Sequence, residues 1–205
     1  MDDVFTEDYF MRGKEKHLSL YENYHWLGQP TLDMARSIAK HICLDKFQTV
    51  LDFGCARGYL VRALREQNYK AWGTDISAWA LENSDRNARP FLARDFFDGQ
   101  QFNWVIAKDV LEHVHDLGIT IDGLLNRTRH GLFAVVPLAA TDGAPYVVED
   151  YEKDVTHIHR YTLGTWINKF MRPGWRVEAQ FLVPGVKCNY AQFPTGNGFI
   201  KVIRL

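Results

Sequence analysis

The chain has 205 residues, of which 46% are hydrophobic and 24% are charged, and its formal net charge is −1. This composition supplies enough apolar material for a packed core and differs from that of disordered chains. The lysines and arginines are dispersed, so no basic stripe exists that could neutralise a row of phosphates, which argues against nucleic-acid binding. The length favours one domain over two.

The sequence also bears on the compartment. No apolar run reaches the roughly 20 residues of a membrane span, and residues 1–10 are acidic where a signal peptide would be basic. The three cysteines Cys43, Cys55 and Cys188 are far apart and form no C-x-x-C pair, which argues against a disulfide framework or a zinc ribbon. We therefore predict a cytoplasmic protein without a membrane partner. The sequence leaves its oligomeric state open.

The first thirty residues are rich in aromatic side chains and end at Pro30. We predict that they form an ordered helical cover, and two interpretations stay open: a lid over a ligand, or a cover for the helix that follows. From Leu32, apolar residues recur at spacings of three and four, which predicts a helix to Ile42 with one buried face.

Five apolar runs then alternate with helical patterns. The runs are residues 49–51, 71–74, 91–93, 102–107 and 131–136. The intervening helices are predicted at residues 60–64, from an N-cap at Ser77 through Leu81, and directly after the fourth run, where the helix would carry Leu111 and Val114. Strands that alternate with helices indicate a doubly wound, mostly parallel sheet.

After Pro137 the pattern is irregular for about twenty residues, and long connections of this kind are often functional. A short helix is predicted at residues 163–170, a strand from Trp175 to Val183, and a final strand at residues 199–205. We expect the last two strands to pair at the sheet edge, with one of them antiparallel. The prediction is thus an α/β fold with a seven-stranded sheet.

Four acids fall at the ends of predicted strands: Asp52, Asp75, Asp95 and Asp109. In an open parallel sheet the ligand lies beyond the carboxyl ends of the strands. Carboxylates are rarely buried without a partner, so four of them along one rim indicate a ligand that is rich in hydrogen-bond donors.

The segment Asp52 to Gly58 reads Asp-Phe-Gly-Cys-Ala-Arg-Gly, and its small residues allow a tight turn and close approach of a ligand. Asp75 follows at about the distance, roughly 20 residues, at which an acid binds ribose hydroxyls. The G-x-G-x-x-G spacing is missing, and Asp52 would repel a pyrophosphate. A nucleoside with positive charge and no phosphate is favoured, and S-adenosylmethionine has these properties.

The stretches VLDFGCARGYL, GTDIS and VIAKDVLEHV resemble the class I S-adenosylmethionine-dependent methyltransferases, in the branch whose fourth strand ends in D-x-L-E-H. The resemblance covers about residues 49–137, is looser in DVTHIHRYT, and implies a Rossmann-like methyltransferase fold. It implies that the cofactor contacts Asp52, Gly54, Ala56 and Gly58 at its methionine half, Asp75 at its ribose, Asp95 and Phe96 at its adenine, and Lys108 and Asp109 near its sulfonium. Cys55 and Ile76 are further expected cofactor contacts. Ala56 replaces the family's usual middle glycine, which we expect to cost the clearance of one methyl group.

Methyl transfer mainly requires that a nucleophile be aligned behind the methyl group and that water be excluded. A hydroxyl acceptor must also lose its proton, for which histidine is the natural base near neutral pH. His157 is the first candidate and His113 the second, because His113 would lie one helical turn beyond Asp109. Structural roles in anchoring their loops stay open for both. We expect His115 to face solvent.

His157, His159, His113 and His115 together could ligate a metal, but scattered histidines are usually satisfied side chains, and we predict no metal. The predicted function is transfer of a methyl group to a small-molecule acceptor through oxygen or nitrogen. No Asn-Pro-Pro-aromatic segment follows the fourth strand, which argues against amino methylation of DNA bases or glutamine. A non-catalytic S-adenosylmethionine-binding protein and an NAD-dependent oxidoreductase are the alternatives.

We expect one methyltransferase domain over residues 1–205. Within it, residues 1–45 would form the N-terminal cap and first helix. Residues 46–137 would form the cofactor-binding half, and residues 138–205 the substrate side.

Overall fold

The computed structural model describes residues 4–95 and 100–205. Its strands form a seven-stranded sheet in the order β3-β2-β1-β4-β5-β7-β6. The strands are β1 Thr49–Phe53, β2 Lys70–Thr74, β3 Leu92–Ala93, β4 Phe102–Lys108, β5 Thr128–Pro137, β6 Trp175–Gln180 and β7 Asn197–Arg204. The helices are α1 Glu7–Met11, α2 Gln29–His41, α3 Tyr59–Glu66, α4 Ala78–Glu82, α5 Leu117–Asn126 and α6 Leu163–Phe170.

The sheet is mostly parallel, as predicted. Strands β1 to β5 pair in parallel, and β7 pairs antiparallel with both β5 and β6. The antiparallel strand therefore lies one position inside the edge, and β6 is the edge strand. The chain turns to β2 and β3 on one side of β1 and to β4 and β5 on the other, which opens the crevice where ligands bind in such folds.

Strand β5 shows why both faces of the sheet are covered. Its residues Phe133 and Val135 lie in the core cluster that contains α2 and α3, whereas Leu132 and Ala134 lie in the cluster that contains α5 and α6. A strand that is buried on both faces needs a continuous apolar run, which is what residues 131–136 supply.

The prediction of a helix directly after the fourth strand is wrong. A single 3₁₀ turn, Leu111–His113, follows β4 there, and α5 begins only at Leu117. Asp109 turns the chain out of the strand with a φ of 55°. Leu111 is buried because this turn packs against the sheet. Its position in the sequence therefore fits helical spacing although no helix forms there.

Two other boundaries differ from the prediction. Helix α2 begins at Gln29, with Pro30 in its first turn, where a missing N–H leaves no hydrogen bond unmade. Strand β6 ends at Gln180, because Phe181 and Leu182 are exposed beyond it and only Val183 returns to the core.

The N-terminal cover consists of the short helix α1 and turns. Tyr9 and Phe10 are buried in it and pack, with their aromatic neighbours, against Trp79 of α4 and Ala56. The Phe10 and Trp79 rings stack with their centroids 5.6 Å apart. The cover therefore lies on the 52–58 turn and α4, and Trp26 alone among its aromatic residues packs against the cluster that holds α2.

Within residues 4–95 and 100–205, no helix combines the length and the apolar character that a membrane crossing requires.

The packing of β5 gives a first prediction. A Cβ atom at Gly131 would lie 2.4 Å from the Val202 carbonyl oxygen and 2.5 Å from the Trp104 ring. We expect Gly131→Ala to lower the free energy of unfolding by about 1–3 kcal/mol, because the backbone of β7 cannot yield. Chemical denaturation measures the change.

Gly123→Ala is the matched control, since a Cβ atom at Gly123 in α5 meets nothing within 4 Å. It should raise the free energy of unfolding by about 0.5–1 kcal/mol through helix propensity. Equal effects of the two substitutions would contradict the described packing of β5.

Candidate functional site

The turn after β1 is built from three left-handed backbone positions. Gly54, Ala56 and Gly58 have φ angles of 74°, 47° and 80°. The amides of Gly54 and Cys55 both donate to the Thr74 carbonyl oxygen, at 2.8 and 3.0 Å. The chain thereby leaves β1, stays bonded to β2 and enters α3 within a few residues.

The two glycines are also required by the protein's own packing. A Cβ atom at Gly54 would lie 2.4 Å from the Val110 side chain, and one at Gly58 would lie 2.8 Å from the Cβ atom of Ala88. The small residues that suggested a ligand therefore have a structural role as well, and they alone do not establish a cofactor site.

Asp75 joins this turn to the end of β2. Its carboxylate accepts hydrogen bonds from the Ala56 amide at 2.7 Å and from the Ser77 amide at 2.8 Å. Burial raises the pKa of Asp75, and these two amides oppose that shift. The carboxylate thus lies at the turn, with oxygen lone pairs left to accept further donors.

The structure changes the interpretation of Ala56. Ala56 adopts a left-handed backbone conformation. This conformation costs a residue with a Cβ atom roughly 1–2 kcal/mol. The lost clearance of one methyl group, which the sequence suggested, stays a prediction. The hydrogen bond from its amide to Asp75 holds the residue in this conformation.

Asp52 is the next-to-last residue of β1 and is only 4% exposed. Burial raises the pKa of its carboxyl to about 8; the Lys108 charge opposes that shift and the Asp75 charge adds to it. A buried carboxylate of this kind is stabilised by a cationic or hydrogen-bonding partner.

Asp109 lies between two lysines at the end of β4. Lys108 bonds one of its carboxylate oxygens, and the Lys187 Nζ atom lies 2.7 Å from the other. Burial alone would raise the pKa of Asp109, but the two lysine charges outweigh burial and hold it well below its usual value. Lys187 comes from the connection between β6 and β7, and no local pattern marks it in the sequence.

The remaining predicted cofactor residues are Ile76, Cys55, Asp95 and Phe96. Ile76 directly follows Asp75 and is 51% exposed. Cys55 is buried beneath the turn. Asp95 is exposed two residues beyond β3, and Phe96 lies outside the described residues.

Two tyrosines of the N-terminal cover come near the acids. Burial raises the pKa of Tyr24 and of Tyr21, and the charges of Asp52 and Asp109, respectively, add to those shifts. The Arg57 guanidinium of the turn donates to the Tyr24 carbonyl oxygen at 2.9 Å. The cover therefore lies over the same rim that carries the acids.

The structure brings His113 and His157 together, with ring centroids 4.7 Å apart. The Nδ1 atom of His113 lies 2.7 Å from the Thr156 hydroxyl, and the Nδ1 atom of His157 lies 2.8 Å from the Tyr151 carbonyl oxygen. Burial lowers the pKa of both rings, that of His113 to about 4. Both are therefore neutral near pH 7.

The other two histidines do not join this pair. His159 bonds the Val114 carbonyl oxygen through Nε2 at 2.7 Å, and His115 is exposed, as expected. The sequence placed His113 one helical turn beyond Asp109, which is wrong, because the 3₁₀ turn positions it instead.

Glu112 is a residue that sequence reasoning missed. It is 1% exposed, and its Oε2 atom has no hydrogen-bond partner within the described parts of the chain. Burial and the Asp109 charge raise its pKa to about 8. Glu112, His113 and His157 each offer one ligand atom, and these atoms lie within 4.8 Å of one another. A charged residue within the apolar run from Val110 to Val114 was the available signal.

A family model described as "Methyltransferase domain" matches residues 29–180. No curated protein sequence matches the chain.

Similar solved structures include the plantazolicin methyltransferase BpumL with a monoazolic desmethylPZN analog and SAH (TM-score 0.67, 13% identity, 99% of this chain and 95% of that chain). Another is a SAM-dependent methyltransferase from Archaeoglobus fulgidus (TM-score 0.65, 16% identity, 87% and 96%). A third is magnesium protoporphyrin IX methyltransferase from Synechocystis PCC 6803 with bound SAH (TM-score 0.63, 15% identity, 86% and 84%). These likenesses show a shared fold.

The strain at Ala56 gives a second prediction. Ala56→Gly should raise the free energy of unfolding by up to about 1 kcal/mol, because relief of the left-handed strain exceeds the added chain entropy of glycine. Ala78→Gly, at an exposed position of α4, is the control and should lower it by about 0.5–1 kcal/mol. Thermal denaturation compares them, and destabilisation by both would refute the strain at Ala56.

The raised pKa of Asp52 gives a third prediction. The folded chain retains this proton to about pH 8, whereas the unfolded chain loses it near pH 4, so Asp52 reduces stability progressively between these values. Asp52→Asn should therefore match the wild-type free energy of unfolding near pH 4 and exceed it at pH 8 by on the order of a few kcal/mol, which thermal denaturation detects as a higher melting temperature.

The control for this pH series is Asp33→Asn, which changes an exposed acid. Its melting temperature should stay parallel to that of the wild type. A constant offset for Asp52→Asn across the same range would show that the carboxyl is ionised at all these pH values.

Proposed function

We propose that this chain, which belongs to the methyltransferase domain family, transfers a methyl group from S-adenosylmethionine to a small-molecule acceptor through oxygen or nitrogen. The family assignment makes it a methyltransferase with S-adenosylmethionine as its cofactor. The observation that carries the proposal is the convergence of Asp52, Asp75 and Asp109 on the rim around one left-handed turn.

The proposed cofactor fits the charges of this rim. Its ammonium and sulfonium groups supply the positive charge that the buried carboxyl of Asp52 lacks. Asp75 is placed to accept from ribose hydroxyls, and the exposed side chain of Ile76 offers an apolar surface for adenine. We assign Gly54, Ala56 and Gly58 to the methionine half, Lys108 and Asp109 to the sulfonium side, and Asp95 to the adenine side.

The acceptor is proposed to lie beside His113 and His157. His113 lies four residues after Asp109, which we assign to the sulfonium side, and the His157 ring lies against the His113 ring. Phe5 of the N-terminal cover contacts the His113 ring edge-on at 5.8 Å, which helps to exclude water there. We assign the substrate side of the chain to residues 138–205, together with this cover.

The transfer itself needs little chemistry from the protein. The acceptor atom attacks the methyl carbon, the bond from that carbon to sulfur breaks, and its electron pair neutralises the sulfonium. A hydroxyl acceptor also releases a proton, for which the neutral His157 ring is available. The products are the methylated acceptor, S-adenosylhomocysteine and one proton.

Equilibrium binding of S-adenosylhomocysteine to wild-type protein and to Asp75→Asn gives the fourth prediction. The substitution should weaken binding at least about tenfold, which corresponds to about 1.4 kcal/mol, because ribose loses a charged acceptor. Asp33→Asn, an exposed acid far along the chain, is the control and should bind as the wild type does.

Incubation with methyl-labelled cofactor and fractionated metabolites then tests transfer and identifies the acceptor class. Binding without transfer to any fraction would favour the non-catalytic alternative. Preference for NAD over S-adenosylhomocysteine in a competition measurement would favour an oxidoreductase. Either result would reject the proposed function.

A further inference from the structure

Three hydrogen-bond acceptors converge between the 3₁₀ turn after β4 and the connection that follows β5. They belong to Glu112, His113 and His157, whose ligand atoms lie within 4.8 Å of one another. Glu112 Oε2 is buried and unpartnered within the described residues. Convergence of these groups in a buried place is stabilised by a proton or a cation between them.

The hydrogen bonds behind the two rings decide which nitrogen carries a proton. Thr156 donates its hydroxyl hydrogen to Asp154 Oδ1 at 2.5 Å, so its oxygen can only accept from His113 Nδ1. The carbonyl oxygen of Tyr151 likewise can only accept from His157 Nδ1. Each ring therefore carries its proton on Nδ1 and presents an unprotonated Nε2 atom.

This arrangement is the one found behind metal-binding histidines. A metal-ligating histidine donates its other ring N–H to a carbonyl, a carboxylate or a similar acceptor, which fixes its tautomer and orientation. The anchoring continues outward, because Asp154 also accepts a hydrogen bond from the Tyr9 hydroxyl at 2.7 Å. The two rings are thus held by groups from two separate segments of the chain, residues 151–156 and α1.

We infer that Glu112, His113 and His157 bind a divalent first-row transition metal ion, and that this ion holds the oxygen of the acceptor beside the methyl donor. The second part rests on the proposed function. Two imidazoles and one carboxylate suit Mn²⁺, Fe²⁺, Co²⁺ or Zn²⁺ better than Mg²⁺ or Ca²⁺, which prefer oxygen ligands throughout. Three protein ligands leave coordination positions open for a substrate.

The ion changes how the acceptor is activated. A hydroxyl that binds a divalent ion loses its proton to solvent more readily, and the resulting alkoxide or phenolate attacks the methyl carbon. The methyl group leaves sulfur as before, so atoms and charge balance without an oxidant or a reductant. The imidazoles then act as ligands, and the acceptor class becomes an oxygen nucleophile. The sequence alone predicted no metal.

Asp109 is close in sequence, but it does not belong to this site. Each of its two carboxylate oxygens lies at ion-pair distance from a lysine, Lys108 or Lys187, although Oδ1 makes no hydrogen bond within the described residues. The Lys187 ammonium therefore balances Asp109, and the carboxylate of Glu112 is the charge that an ion would balance.

Titration of Co²⁺ into the chelator-treated full-length chain tests the site directly, because Co²⁺ reports its ligands by visible absorption, and Zn²⁺ calorimetry gives the stoichiometry. We expect one ion per chain for the wild type. Glu112→Gln and His157→Gln should weaken binding at least about tenfold. His115→Gln, which changes an exposed histidine two residues from His113, is the matched control and should leave binding unchanged.

Thermal denaturation shows whether each variant folds. If either Glu112→Gln or His157→Gln does not fold, the other variant still tests the site. Absence of Co²⁺ binding to the wild type, or equal affinity in the wild type and in folded His157→Gln, would overturn the metal site and leave a water molecule between the acceptors. Neither readout uses the cofactor. Metal binding without S-adenosylhomocysteine binding would reject the proposed function alone, and the reverse result would reject the metal site alone.

Discussion

The burial of carboxyl groups at one rim of the sheet is the constraint on which the site depends. Asp52, Asp75, Asp109 and Glu112 all lie where parallel strands end, and each is compensated differently. Asp75 accepts hydrogen bonds from two backbone amides, and Asp109 lies between the ammonium groups of Lys108 and Lys187. Burial raises the pKa of Asp52. Glu112 retains an oxygen without a partner in the described residues. The differences separate carboxylates that serve the fold from those that are available to ligands.

The sheet and the cofactor turn could be predicted because their signals are local. Apolar runs of residues 49–51 and 131–136 mark strands that are covered on both faces, and the spacing from the turn to Asp75 places both at one crevice. The helix after β4 was mispredicted because Leu111 and Val114 have helical spacing but owe it to packing of a 3₁₀ turn. Periodicity reports burial, and burial alone does not distinguish a helix from a tightly packed loop.

The acceptor side was harder to predict, because its contacts join residues far apart in sequence. Lys187 reaches Asp109, and Tyr9 reaches Asp154, across separations that no local pattern encodes. The pairing of His113 with His157 depends on two loops whose shapes are set by such contacts. The sequence identified both histidines from their residue type, but their tautomers and their common neighbour Glu112 required the structure.

The burial of Asp52 links the stability of the protein to its ligand. A ligand that binds only the folded chain stabilises it in proportion to the logarithm of its concentration, and a cationic group that favours the ionised form of Asp52 adds to the affinity of that ligand. The ligand-free chain is then the form most often open to proteases. At low concentrations of the methyl donor more of the chain is ligand-free, and a larger fraction of it is therefore unfolded at equilibrium.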